Sequence, residues 1–96
     1  MPKGYVLAEI DVTDPQGYEA YKKLSSQAAA DHGGRFLVRG GEVTHLEGER
    51  APNRIVILEF DSPEQAQAFF NSPQYQAAAA VRRRASVANF YCLTGA

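Results

Sequence analysis

One carboxylate, Glu59, stands near the end of the apolar run RIVILEF at Arg54 to Phe60. An acid in an aliphatic strand is costly unless it is paired or hydrogen-bonded, so its position points to chemistry or to a structural ion pair. Arg39, just before Gly40-Gly41, is its basic counterpart. In the functional reading Glu59 moves protons as an acid–base group and Arg39 binds an anionic part of a substrate. In the other reading an Arg–Glu pair seals the sheet or a subunit interface. Three tyrosines join this candidate pair. Tyr18 and Tyr21 sit at helical spacing and Tyr75 lies in the first turn of a later helix, each able to bring a hydroxyl to a cavity edge. Arg54 and His45 fall near strand ends. The candidate ligand-binding set is therefore Tyr18, Tyr21, His45, Arg54 and Tyr75.

The remaining reactive types read more plainly. His45 has no second ligand nearby, so no metal site is expected. His32 precedes Gly33-Gly34 at a helix C-terminus, where a positive ring suits the dipole. Arg82-Arg83-Arg84 is a short basic run on a helix and reads as a solvated face. Cys92 alternates with Tyr91 in the last strand and reads as a small core filler.

The elements that position these residues follow from periodicity. Tyr5 to Val12 alternates, with Val6, Ala8, Ile10 and Val12 on one apolar face. Asp14 then caps a helix that has Pro15 at its first position. Tyr18, Tyr21, Leu24 and Ala28 mark its buried side, and Gly33-Gly34 ends it. Arg35 to Arg39 is a second strand, with Phe36 and Val38 opposite Arg35, Leu37 and Arg39. Gly40-Gly41 breaks it, and Glu42 to Leu46 continues it or begins its return. After a polar loop, Arg54 to Phe60 forms the third strand. Ser62-Pro63-Glu64-Gln65 caps a second helix, Ser72-Pro73 starts an extra helix running to about Ala85, and Ser86 to Thr94 is the final strand.

That order predicts an α+β fold, a ferredoxin-like βαββαβ sandwich with an extra helix in its C-terminal part, as one domain over residues 1–96. Both helices should lie on one side of the sheet. The opposite face (Tyr5, Leu7, Glu9; Arg35, Leu37, Arg39; Ile55, Ile57, Glu59) mixes aliphatics with charges and calls for a partner or a ligand. On this alternation Glu9, Glu59 and Arg39 approach one another.

A chain of 96 residues with 45% hydrophobic and 22% charged residues and a net charge of −1 has the balance of a globular protein. It buries only roughly 60–65% of its unfolded surface, which favours sharing apolar area with a second subunit. Near-neutral charge gives no pull toward nucleic acid or anionic membrane. The third strand carries aliphatics where an RNA-recognition domain needs stacking rings. The N-terminus lacks a signal-peptide pattern and no segment approaches a membrane span. A single cysteine fits a reducing, cytoplasmic setting.

The segments VTDPQGYEAYKK, GGRFLVRGGEVTHLEG, RIVILEF with DSPEQAQAFF, and NSPQYQAAAAVRRRA resemble, in order and over nearly the whole chain, domain-of-unknown-function family 1330 of the dimeric α/β-barrel superfamily. The resemblance implies a ferredoxin-like fold that dimerises through its sheet, and no particular reaction. The positions it carries over are Tyr18, Arg39, Gly40, Gly41, Arg54, Glu59, Ser72 and Tyr75. The wider superfamily includes cofactor-free monooxygenases, haem-degrading enzymes and lactone isomerases. The haem degraders use a tryptophan that this chain lacks. No GxGxxG or P-loop occurs, so no cofactor is expected. Two functions follow: a homodimer with a small-molecule pocket, acting by acid–base chemistry on a small organic anion, or a non-catalytic binding or assembly module whose Arg/Glu cluster is structural.

Overall fold

The computed structural model describes residues 2–96. Its elements run β1 (Gly4–Val12), α1 (Pro15–Asp31), β2 (Arg35–Arg39), β3 (Arg54–Phe60), α2 (Pro63–Asn71), α3 (Pro73–Ala85) and β4 (Ser86–Thr94). The strands pair antiparallel in the order β2-β3-β1-β4, the ferredoxin-like α+β arrangement with α3 as the added helix. Alternation is strict in β1: Gly4, Val6, Ala8 and Ile10 are buried, while Tyr5, Leu7 and Glu9 are half-buried on the other face.

Three expectations need correction. The second strand does not continue through Glu42 to Leu46, because Gly40 takes φ +71° and turns the chain out of the sheet. In α1 the buried face is Tyr18, Tyr21, Ser25, Ala28 and Ala29, and Leu24 is exposed, lying about 60° around the helix from Tyr21. Cys92 is exposed rather than core filler, because β4 is an edge strand that leaves its thiol in an open groove beside α2.

The core is aromatic, and Tyr75 is its hub. Its ring centroid lies 4.7 Å from Phe69, 5.3 Å from Phe70, 6.3 Å from Phe90 and 6.3 Å from Tyr21. Phe69 in turn stacks on Phe60 at 5.1 Å, joining α2 to β3. Burying rings of this size supplies most of the adhesion of a small core.

Ser72 sets where that hub sits. It closes α2 and opens α3 at once, accepting from the Tyr75 N–H at 3.1 Å and donating to the Phe69 carbonyl at 2.7 Å. Proline at the next position fixes φ and lacks the N–H that would be unpaired there. Ser72→Ala removes both bonds, so we expect a loss of about 1–2 kcal/mol in urea unfolding. An unchanged midpoint would show that the joint is held by packing alone.

Candidate functional site

The two faces of the sheet carry different chemistry, and register decides which residue lies where. In β3, Glu59, Ile57 and Ile55 pair with Tyr5, Leu7 and Glu9 on the outer face, away from the helices. The expected meeting of Glu59 with Arg39 does not occur. The β2–β3 register shifts between Phe36 and Val38, so that Val38 pairs with Ile57 and Arg39 with Val56. The extra residue reverses the alternation beyond it. Val38 thereby moves to the outer face, and Arg39 to the helix side.

Arg35 takes the partnership expected of Arg39. It donates to Glu59 from Nε at 3.2 Å and also from its Nη2, while the Tyr5 hydroxyl donates to the same carboxylate at 3.2 Å. Arg35 holds the Glu59 carboxyl below the usual range; partial desolvation opposes this and Tyr5 assists it. Glu9 lies four residues along β1 from Tyr5, about 13 Å away, and pairs with Arg50 from the loop. Between these pairs lie Leu7, Ile55 and Ile57, with Val38, Tyr91 and Leu93 around them.

The helix side holds a narrow cleft whose free volume is only about 20 Å³. Its floor is Val6, Ala8, Ile10, Val56 and Leu58; Phe36, Phe69 and Phe90 wall it. Tyr21 and Tyr75 meet at its closed end, their hydroxyl oxygens 2.7 Å apart and buried. Burial pushes both phenols above their ordinary ionisation range. Tyr18 packs on Tyr21 at 5.2 Å and lies under Arg54, whose guanidinium carbon is 5.4 Å from its ring.

At the mouth Arg39 and Arg54 line the cleft together with Lys22, and Lys23 and Glu19 border the wider opening. Arg39 donates to Ser26 and stands 4.1 Å over the Phe36 ring. Arg54 approaches the backbone of Gly40 so closely that a Cβ there would collide with its guanidinium. Gly40 thus serves the turn and makes room for the arginine. The buried Nε of Arg54 has no hydrogen-bond partner among the described residues.

Of the candidate site residues, the fold therefore gathers Tyr18, Tyr21, Arg39, Arg54 and Tyr75 around one cleft. Glu59 lies across the sheet from it. His45 is exposed in the loop outside the strands. Among the described residues no three His, Cys, Asp or Glu side chains gather as a metal-binding set.

One residue at this site was misread from the sequence. Arg82 is not on a solvated face; it is 5% exposed, its guanidinium carbon 4.2 Å from the Phe90 ring centroid. The signal was available in helical period, since Tyr75, Ala78, Ala79, Arg82 and Ala85 form one buried stripe. Lys22, Ser25 and Ser26 also border the cleft or its mouth and carried no comparable signal.

The model of the family described as "Domain of unknown function (DUF1330)" matches residues 3–96. The chain belongs to this family. None of the curated proteins matches it. Among solved structures, a protein of unknown function from Rhodopseudomonas palustris superposes with a TM-score of 0.77 at 18% identity, over 99% of this chain and 83% of the other. SnoaB from Streptomyces nogalater, described as a cofactor-independent oxygenase, gives 0.66 at 14% identity, over 100% and 95%. A dimeric ferredoxin-like protein of unknown function from Thermobifida fusca gives 0.60 at 20% identity, over 96% and 92%. At these identities the DUF1330 chain shares a fold with them. No helix in the described residues is long and apolar enough to cross a membrane.

The outer ion pair has a pH signature. Because Glu59 ionises more readily folded than unfolded, its contribution is present above the ordinary carboxylate range of about 4.3. It is lost as pH falls through the depressed folded value. Melts of the parent and Glu59→Gln should differ at neutral pH and converge in acid. A gap that stays constant into strong acid would remove the ion pair from the explanation.

Proposed function

We propose that this DUF1330 protein is a homodimer that binds a small organic anion in the cleft between sheet and helices. The acid group sits at the mouth between Arg39 and Arg54, with Lys22 beside them, and the apolar body lies along Val56, Leu58 and Phe36. One observation carries this reading: Arg39, Arg54 and Arg82, all on the helix side, form no ion pair with a carboxylate of the described chain. A cleft lined by cations with few anions raises the local concentration of negative ligands, and guanidinium groups suit carboxylates through paired donors.

The outer face supports the dimer half of the proposal. Exposed or half-buried Leu7, Val38, Ile55, Ile57, Tyr91 and Leu93 form an apolar patch flanked by two ion pairs, which suits a self-complementary interface. In this reading Glu59 and Arg35 fix dimer register, which is the structural role foreseen for an Arg/Glu cluster. A carboxylate held ionised by an arginine is a poor proton carrier near neutral pH. Hydrogen-bond donation within the cleft then falls to Tyr21 and Tyr75, which burial keeps protonated. The single thiol, Cys92, is consistent with a reducing cytoplasm.

Two measurements test these halves separately. Calorimetric titration with benzoate and 2-naphthoate should detect binding, and Arg54→Gln should weaken it by about tenfold or more without lowering the melting temperature. No heat at millimolar ligand would overturn the pocket assignment. Light scattering at tens of micromolar should give twice the chain mass, and a clean monomer there would overturn the dimer.

A further inference from the structure

The room on the helix side lies at its mouth, and cations line it. The inner cleft has about 20 Å³ free, whereas the open basin outside it has about 340 Å³. The basin's walls are Glu19, Lys22, Lys23 and Ser26 from α1, with Arg39 and Arg54 from the sheet. The four α1 residues fall at i, i+3, i+4 and i+7, so one helix face carries them all. Four cations thus surround a single carboxylate in a chain whose net charge is −1. That carboxylate is already engaged, since Glu19 lies 2.8 Å from the Lys22 ammonium. The hydrogen bond from Lys22 holds the Glu19 carboxyl below its usual range; partial desolvation opposes this, and the charges of Lys22, Lys23 and Arg54 add to it.

Backbone features commit the two arginines to this place. Arg39 is carried to the helix side by the register irregularity between Phe36 and Val38. There it donates to Ser26 and packs 4.1 Å over the Phe36 ring. The Arg54 guanidinium fills the space that a Cβ on Gly40 would take, and its buried Nε has no partner among the described residues. Neither arginine, nor Lys23, forms an ion pair with a carboxylate of the described chain. The number of cations limits what they can serve. A single carboxylate pairs with one guanidinium through two parallel bonds and leaves the other cations uncompensated. A phosphate monoester brings nearly two charges and three acceptor oxygens, enough to engage both arginines and a lysine. Lys22, Arg39 and Arg54 also border the cleft, together with Phe36, so an organic group on the ester has apolar surface beside the basin.

We propose that the mouth recognises a small phosphate monoester, its dianionic head among Lys22, Lys23, Arg39 and Arg54 and its organic part against Phe36. This rests on the anion-binding mouth proposed above and names the head group that the mouth takes. Lys23, which a carboxylate between the two arginines does not need, becomes a binding residue.

Phenyl phosphate and phenyl sulfate share a ring and a three-oxygen head, and at about pH 8 they differ by one charge. Calorimetric titration in about 10 mM salt, where screening is weak, should give phenyl phosphate about tenfold the affinity of phenyl sulfate. Lys23→Gln, at an exposed helix position and checked by circular dichroism, should weaken phenyl phosphate by about threefold and phenyl sulfate by less. Inorganic phosphate should bind more weakly than the ester. Equal affinities for phenyl phosphate and phenyl sulfate, or phenyl phosphate affinity unchanged in Lys23→Gln, overturn the dianion, while binding of benzoate keeps the mouth. Inorganic phosphate binding as tightly as the ester overturns the organic part. Heat with phenyl phosphate and none with benzoate or 2-naphthoate upholds the dianion and overturns a carboxylate as the mouth's ligand. No heat with any of these at millimolar concentration overturns both readings.

Discussion

The pleat of a four-stranded sheet divides the charges of this protein into a compensated set and an uncompensated one. Side chains in β1 and β3 alternate with a period of two, so Glu9 and Glu59 are sent to the outer face and Arg54 to the helix side. On the outer face each carboxylate meets an arginine, Glu9 with Arg50 and Glu59 with Arg35. On the helix side Arg39, Arg54 and Arg82 meet phenols, ring faces, backbone and a serine hydroxyl.

The shape of the cleft depends on how the added helix is hung. α2 and α3 share Ser72 as last cap and first cap, so the chain turns sharply with no intervening loop. That turn places Tyr75 in the first turn of α3, above Phe69 of α2 and against Tyr21 of α1. From there the buried stripe runs one side of α3 through Ala78 and Ala79 to Arg82. The small alanines let α3 lie close to α1, which closes the inner end. The same geometry that packs the core therefore sets two hydroxyls and a guanidinium in one corner.

How much of this was legible in the sequence depends on whether local rules decide the outcome. The bounds of α3, the capping by Ser62 and Ser72 and the faces of β1 and β3 all follow from caps, prolines and alternation within a few residues. Arg39 was not legible. Its side is set by a register irregularity at Leu37 that no glycine or proline marks, and only pairing with β3 reveals it. Glu59 was placed correctly on the outer face, but its partner changed with the same shift. His45 lost its strand because Gly40 turns the chain away at positive φ. Arg82 was legible in period and obscured by composition, since three consecutive arginines read as surface while only one faces inward.

Stability by itself does not account for Arg54 and Arg82. Replacing a buried charged group by a well-packed apolar one of similar volume is often neutral or stabilising, and a core this small has little free energy to spare. Leucine or methionine on the α3 stripe would match its alanine neighbours in kind, and would leave no orphaned Nε. Arg54 is half-buried, but its Nε is buried without a partner and its guanidinium lies where a Cβ on Gly40 would stand. Such local conflicts with folding rules concentrate where a chain does something besides fold. Of the two, Arg54 lines the cleft, while Arg82 is buried against Phe90 in its aromatic wall. An anionic group at the mouth gives Arg54 the acceptor that the described chain does not, which is the reason for reading the mouth, where Lys22 and Arg39 also stand, as the place where a ligand is held.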